Sequence, residues 1–333
     1  MRQVTLISNH NLQLQEVDPP EPAEGEVLVQ TRFMALCGSD VHIWEGQQPN
    51  VRRPVVLGHE CTGVVVRSTT GSPEPGTPVA IVPMFSCGHC VHCRAGQQHT
   101  CPQRQVMGFQ RQGCLAEFLS VPAANLLPLA PGQDMALATI FEPLGVAIHA
   151  AGLAEPKGDE HAIIFGAGSI GLLVALFLRE ELGVRASLVD PNPARVDFAR
   201  TLGLEAVGQP SDLDLGHLTS RPLAFDCVGR AESADAIFSL FPAPRMAVLV
   251  GTYDPGASVS LSRLKNCETR VVGSICYSVA DLQRGLEIMA SPKSDAYAQL
   301  VVEKRFELDR FEDAFRTART TVGATKVIVQ MTS

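Results

Sequence analysis

Apolar side chains recur at a spacing of two through the first 35 residues, at Val4 and Leu6, Leu12 and Leu14, and Val27 and Val29. Pro19-Pro20-Glu21-Pro22 and Glu24-Gly25 interrupt them. A period of two between Pro/Gly clusters predicts antiparallel strands joined by turns. Short strands are expected to continue over residues 54–57, 62–67 and 79–82, so the first third reads as a mainly β unit. Over residues 133–153 the period becomes helical, with Glu142-Pro143 at a break and the small residues Gly145, Ala147, Ala150, Ala151 and Gly152 after it. This helix is expected to lead into a second unit.

From His161 the chain alternates strands and helices: strands over 162–165, 186–189, 223–225, 246–250 and 271–273, and helices over 169–182 and 193–202. Repeated β–α units of this length predict a doubly wound parallel sheet with helices on both faces. Pro193 suits the first turn of its helix. The last 50 residues are short, charged elements ending in a strand-like Lys326-Val327-Ile328-Val329, and no internal repeat is present.

Between the first predicted strand and helix of this second unit stands Gly166-Ala167-Gly168-Ser169-Ile170-Gly171. In that context the G-x-G-x-x-G pattern is a dinucleotide fingerprint. The first glycine makes the tight turn, the second admits the pyrophosphate, and the third lets helix and strand pack. The helix N-terminus then favours the phosphates. Asp190 ends the next strand, 19 residues past Gly171, where an acid accepts a hydrogen bond from the ribose 2′-OH. A 2′-phosphate would meet like charge there, so NAD is expected over NADP. Arg195 could soften that preference, although its plain reading is a solvated helix arginine.

Cys87, Cys90, Cys93 and Cys101 follow a C-x2-C-x2-C-x7-C spacing. Four thiolates on one short loop can close a tetrahedron around a structural zinc. An iron–sulfur cluster also uses paired x2 spacings, but its fourth cysteine follows after three residues rather than seven. His89 and His92 lie among these cysteines and could substitute as ligands; with four thiols present they are expected to face solvent. The stretch Cys37-Gly38-Ser39-Asp40-Val41-His42 gathers a thiol, a hydroxyl, a carboxylate and an imidazole within six residues. It reads as one ligand and the proton path of a catalytic metal.

Composition narrows the class. At 333 residues two domains are expected. Lys plus Arg number 27 against 35 Asp plus Glu, a net charge of −8 without a basic block, which argues against nucleic acid and anionic membrane as partners. The uncharged run 162–178 is short of the roughly 20 residues a spanning helix needs. Met1-Arg2-Gln3-Val4-Thr5-Leu6 reads as a strand rather than a signal peptide. Ten cysteines in so long a chain point to metal thiolates in a reducing cytoplasm rather than a secreted disulfide framework.

Taken in order, Cys37 to His42, Gly58-His59-Glu60, the four-cysteine loop, Gly113 to Phe118, Phe141-Glu142-Pro143-Leu144, Gly166 to Gly171, Phe225 to Gly229 and the closing Lys326-Val327 resemble the zinc-dependent medium-chain dehydrogenase/reductase family. The polyol (sorbitol-type) and threonine dehydrogenase branch is the nearest, and the resemblance covers nearly the whole chain. It implies an α/β architecture: a GroES-like β-barrel catalytic domain over 1–145, to which 280–333 return, and a Rossmann NAD-binding domain over 146–279. It implies two zinc ions per chain, with Cys37 and His59 as ligands of the catalytic one and Glu60 and Glu142 as the third and fourth positions, one of them through water. Asp40 would orient His59, Ser39 would begin the proton relay and His42 would pass the proton to solvent. Val228, Val250 and Gly251 would face the nicotinamide.

The implied reaction is hydride transfer between NAD and a secondary alcohol of a polyol, sugar or cyclitol. An amino alcohol (threonine-like, or an aminocyclitol of antibiotic biosynthesis) and NADPH-dependent ketone reduction are the alternatives within the family. A catalytically silent redox-sensing or scaffold protein is the alternative outside it, opposed by competent residue types at every catalytic position. The family further implies a homodimer or homotetramer. There are two departures from the family pattern: Gly76-Thr77-Pro78-Val79 lacks the Gly-Asp that commonly precedes this strand, and the loop over 41–57, which bounds the substrate cleft, is short. Arg52-Arg53 in that loop read as a solvated pair in preference to a substrate clamp.

Overall fold

A computed structural model describes residues 1–48, 51–301, 304–320 and 326–331. The alternating first third forms the expected strands. Arg2–Ser8 pairs antiparallel with Asn11–Glu16 and with Val55–Val56. The long strand Glu26–Leu36 is the hub of a seven-stranded sheet. It pairs with Glu60–Ser68 on one side and Val327–Gln330 on the other, while Phe118–Pro122 joins its first half. The C-terminal strand therefore lies beside residues of the first 36. The inward residues of these strands, among them Val4, Leu6, Val27, Val29, Met34 and Val65, form one core cluster with Phe311, Phe315 and Val329.

The second sheet is parallel and six-stranded, in the order Glu205–Val207, Arg185–Val189, His161–Phe165, Leu223–Asp226, Met246–Leu249, Arg270–Gly273. Numbered along the chain this is 3-2-1-4-5-6, the dinucleotide-binding order. Period-two burial shows on its central strand. Ala162 and Ile164 belong to one core cluster, and Ile163 and Phe165 to the cluster on the opposite face. The helix Ser169–Leu182 buries Gly171 through Leu178 and ends at Gly183, whose φ of 65° is left-handed. No helix among the described residues is long and apolar enough to cross a membrane.

The helical period expected over 133–153 resolves into a short helix, Met135–Ala138, and a longer one, Phe141–Ala154. Pro143 sits in the first turn of the second, where its missing N–H is tolerated. That helix packs against Ser169–Leu182 and Val279–Met289. Its Ile140 and Leu144 share a core cluster with Ala35 and Ile328 of the first sheet and Ile164 of the second. Two elements go beyond expectation. Glu205–Val207 adds a sixth parallel strand, and Gly38–Trp44 forms a helix capped by Cys37.

Candidate active site

Strand register assembles the centre. In the first sheet Ala35 lies opposite Glu60, and Leu36 opposite Val327. Cys37 and Lys326 stand one step beyond the second pair and Glu60 ends the first, so the three converge at the same strand ends. Cys37 caps the helix Gly38–Trp44, and Asp40 in its first turn is fully buried. Asp40 Oδ2 accepts from Cys37 N at 3.0 Å, and Oδ1 accepts from Gly58 N at 3.0 Å. Oδ1 also lies 3.5 Å from His59 Nδ1, so the carboxylate that holds the cysteine turn and Gly58 also faces the imidazole. Gly58 has φ 96°, and a Cβ there would come within 2.5 Å of the Met34 side chain. Only glycine brings His59 in at this angle.

One ligand atom from each of Cys37, His59 and Glu60 lies within 4.8 Å of the others. Glu60 Oε2 is buried with no hydrogen-bond partner, an orphan that a cation would satisfy. A thiolate, an imidazole and a carboxylate are zinc's donor set for a site that keeps an open position. Burial pushes the His59 pKa down, yet Asp40 and Cys37 carry it well above the ordinary value. Glu142 stands outside this trio. Its Oε1 accepts from Tyr277 Oη at 2.5 Å, both groups being buried. Burial, reinforced by Glu60, lifts the Glu142 pKa to about 7 against the opposing pull of His59, Tyr277 and Lys326. Ser39 Oγ is buried without a partner, while His42 three residues on is exposed.

Three neighbours were not identified from the sequence. Lys326 Nζ donates to Glu60 Oε1 at 2.5 Å, with both side chains buried. Tyr277 holds Glu142, and the Phe109 ring lies 5.7 Å from that of His59. The one sequence signal for Lys326 was its place at the start of an otherwise apolar strand.

The four cysteines of the lobe also close. Their Sγ atoms are separated by 3.8 Å (87–93), 3.5 Å (90–93), 3.9 Å (90–101) and 3.6 Å (87–101). Zinc–sulfur bonds of 2.3 Å in a tetrahedron require about 3.8 Å between sulfurs. An iron–sulfur cluster, with its own inorganic core between the thiolates, would hold them further apart. Backbone hydrogen bonds from His89 and Cys90 head the causes that lower the Cys87 pKa to about 6. His89 is exposed, with Nδ1 2.7 Å from the Cys87 carbonyl oxygen. His92 is half-buried, its Nδ1 3.0 Å from Thr100 Oγ1, rather than facing open solvent.

At the second sheet, the glycine loop turns between strand and helix as its residue types require. Gly166 has φ 97°, and a Cβ on Gly171 would meet the Gly166 carbonyl oxygen at 1.8 Å. Asp190 is buried at the loop's edge. Its Oδ2 accepts from Ala167 N and its Oδ1 from Asn192 N, each at 2.9 Å. The Arg195 side chain is 41% exposed, as a solvated helix arginine would be, and also reaches Asp190 Oδ2 at 3.4 Å. Val228 lies across the switch point from Gly166, its Cγ2 3.0 Å from where a Gly166 Cβ would stand. Val250 and Gly251 follow the next strand, and both donate to the Asp226 carbonyl at 2.9 Å. Asp226 was missed; its side chain accepts from Val228 N, Gly229 N, Ser233 Oγ and Tyr253 Oη, fixing both strand ends. Ser169 and Ile170 open the helix Ser169–Leu182 beside the loop. In the short cleft loop Arg52 is exposed, but Arg53 donates to the Ile43 and Val51 carbonyls, so it braces the helix end and is neither solvated nor a clamp.

The chain segment after the edge strand Arg270–Gly273 carries Tyr277 to Glu142, linking the second sheet's edge to the helix Phe141–Ala154. Comparison with known proteins agrees with this arrangement. Residues 23–131 match the family model "Alcohol dehydrogenase GroES-like domain". The chain is 30% identical to L-galactonate-5-dehydrogenase of Escherichia coli (strain K12) over 83% of its length and 84% of that protein. It is 29% identical to L-threonine 3-dehydrogenase of Rhizobium etli (strain CIAT 652) over 93% and 92%. A structure described as a zinc-binding dehydrogenase from Sinorhizobium meliloti 1021, bound to NADP, superposes with a TM-score of 0.87 at 26% identity, covering 99% of this chain and 98% of that one.

Proposed function

The chain belongs to the zinc-dependent medium-chain dehydrogenase/reductase family, and from that premise we propose how its residues divide the work of a zinc- and NAD(P)-dependent oxidoreductase of secondary alcohols. The supporting observation is the convergence of Cys37, His59 and Glu60 around an orphaned carboxylate oxygen beside a dinucleotide sheet. We assign Cys37, His59 and Glu60 as the direct ligands of the catalytic zinc, and Glu142, held by Tyr277, as the fourth position acting through water. Cys87, Cys90, Cys93 and Cys101 would hold the structural ion.

When bound, zinc supplies the Lewis acidity that lowers the pKa of a substrate hydroxyl, and the nicotinamide supplies the hydride acceptor. The chain does the rest. Asp40 fixes the His59 ring, and Lys326 compensates the charge of Glu60. Ser39 Oγ, buried and unpartnered, would accept the hydroxyl proton as it releases its own toward the exposed His42, which passes a proton to water. Phe109 covers His59 and dries that side of the cleft. Gly166, Gly168, Gly171 and the N-terminus of Ser169–Leu182 receive the pyrophosphate. Asp190 retains lone pairs for the ribose hydroxyl, which favours NAD over NADP.

The substrates we propose are polyols, sugars, sugar acids or cyclitols. The similarity to a threonine dehydrogenase supports an amino alcohol as the second reading. We place the catalytic domain at 1–145 with 280–333 and the nucleotide domain at 146–279; the C-terminal strand beside Glu26–Leu36 supports this division. We further propose a cytoplasmic homodimer or homotetramer. Arg270–Gly273 is an open sheet edge flanked by exposed Leu261, Val271 and Ile275, the kind of edge that a second copy would cover. The test is NADH formation from a panel of polyols, sugar acids, cyclitols and amino alcohols. Turnover of at least one, lost in His59→Ala with NADH binding intact, is expected; near-normal turnover in that variant would reject the assignment.

A further inference from the structure

The cluster around His59 is rich in negative groups. Asp40, Glu60 and Glu142 are all buried, and Lys326 is the one buried lysine or arginine among the described residues. Lys326 is committed to Glu60, so an anion at the far end of a substrate would need a cation of its own. The loop that seats Phe109 against His59 supplies one. Five residues before Phe109 stands Arg104, half-buried, on the cysteine lobe. Among the described residues its side chain donates only to the His99 carbonyl and has no carboxylate partner. Arg2, Arg179, Arg245 and Arg284, by contrast, are each paired with a glutamate.

Contacts leading back to the catalytic cluster fix the place of Arg104. The buried His99 ring lies 4.6 Å from that of His149, and His149 Nδ1 lies 3.0 Å from Asp281 Oδ2. Asp281 accepts from Ser278 N and Oγ, next to Tyr277, which holds Glu142. Cys276, with φ 51° in the left-handed region, immediately precedes Tyr277 on this segment. Burial raises its pKa and Glu142 adds to that, while the charges of Arg104 and His59 pull it down.

Resting on the dehydrogenase reading above, we infer that Arg104 is the anion-recognising residue of the substrate cleft. The preferred substrates are then secondary alcohols that carry a carboxylate or a phosphate, namely aldonates or polyol phosphates. A guanidinium anchored through one nitrogen still presents a planar donor edge, which suits either anion.

The test compares kcat/KM for galactitol, L-galactonate and galactitol 1-phosphate in the wild type, Arg104→Gln and Arg104→Lys. A hydrogen bond to a charged group contributes about 1.5–3 kcal/mol, roughly 10- to 150-fold. The wild type should favour an anionic substrate over galactitol by at least about 10-fold, and Arg104→Gln should collapse that ratio, with Arg104→Lys retaining part of it. The anion's KM should also rise between about 0.05 and 0.5 M salt while that of galactitol stays level. The stronger of the two anions identifies carboxylate or phosphate as the ligand. A wild type that favours galactitol, or an Arg104→Gln that lowers all substrates by one factor, would overturn the inference while leaving the dehydrogenase reading intact. Failure to oxidise any secondary alcohol would instead overturn that reading.

Discussion

Replacing Lys326 by methionine removes one charge from the catalytic cluster with little change in volume. In the wild type Lys326 Nζ lies 2.5 Å from Glu60 Oε1, with the side chains 5% and 0% exposed. Burial lowers the lysine pKa, but Glu60, Cys37 and Glu142 more than reverse this and raise it. The pair is therefore charged and desolvated. Breaking a buried pair from one side costs about 3–5 kcal/mol, because the remaining charge is stranded. At about 2–4 °C per kcal/mol for a unit of this size, metal-free Lys326→Met should melt roughly 6 to 20 °C below metal-free wild type. The zinc-loaded proteins should differ by much less, since the ion then takes over the compensation of Glu60. Melting by circular dichroism, with and without a chelator, measures both differences. Equal melting temperatures for the two metal-free proteins would refute the reasoning. So would an equal loss with zinc bound.

Other outcomes follow from the same geometry. Gly171→Val should abolish NADH binding in a fluorescence titration, since even a Cβ would meet the Gly166 carbonyl oxygen at 1.8 Å. Glu142 has a folded-state pKa of about 7, raised from 4.5, so the native state binds more protons than the unfolded chain between those values. Stability of the metal-free protein should accordingly fall as pH rises from about 4.5 to about 7. Urea midpoints across that range should show the decline, and Glu142→Gln should flatten it. With Asp190 at the ribose position, KM for NADPH should well exceed that for NADH in steady-state assays, and equal values would remove the role given to that carboxylate.

Much of this molecule is legible in one dimension because its signals are local. Strand alternation, the glycine fingerprint and the cysteine spacing each lie within a few residues, and each appears where expected. Relations set by long-range register are not legible. Lys326 and Glu60 are 266 residues apart, and only the pairing of Leu36 with Val327 and of Ala35 with Glu60 brings them together. Tyr277 and Glu142, 135 residues apart, meet through the packing of Phe141–Ala154 on Val279–Met289. For that reason sequence could nominate two glutamates but not rank them, whereas Glu60 lies within ligand distance and Glu142 is engaged by a tyrosine. The helix Gly38–Trp44 was hidden because Gly38, Ser39 and Asp40 favour turns as readily as helix starts. The strand Glu205–Val207 is only 3 residues long, too short to show a period.

The central claim is that Cys37, His59 and Glu60 hold a zinc distinct from the one in the four-cysteine lobe. Zinc content per chain, measured by atomic absorption on wild type and Cys37→Ala, tests it most directly. Two ions in the wild type and one in the variant are predicted. Equal zinc in the two proteins would contradict the account.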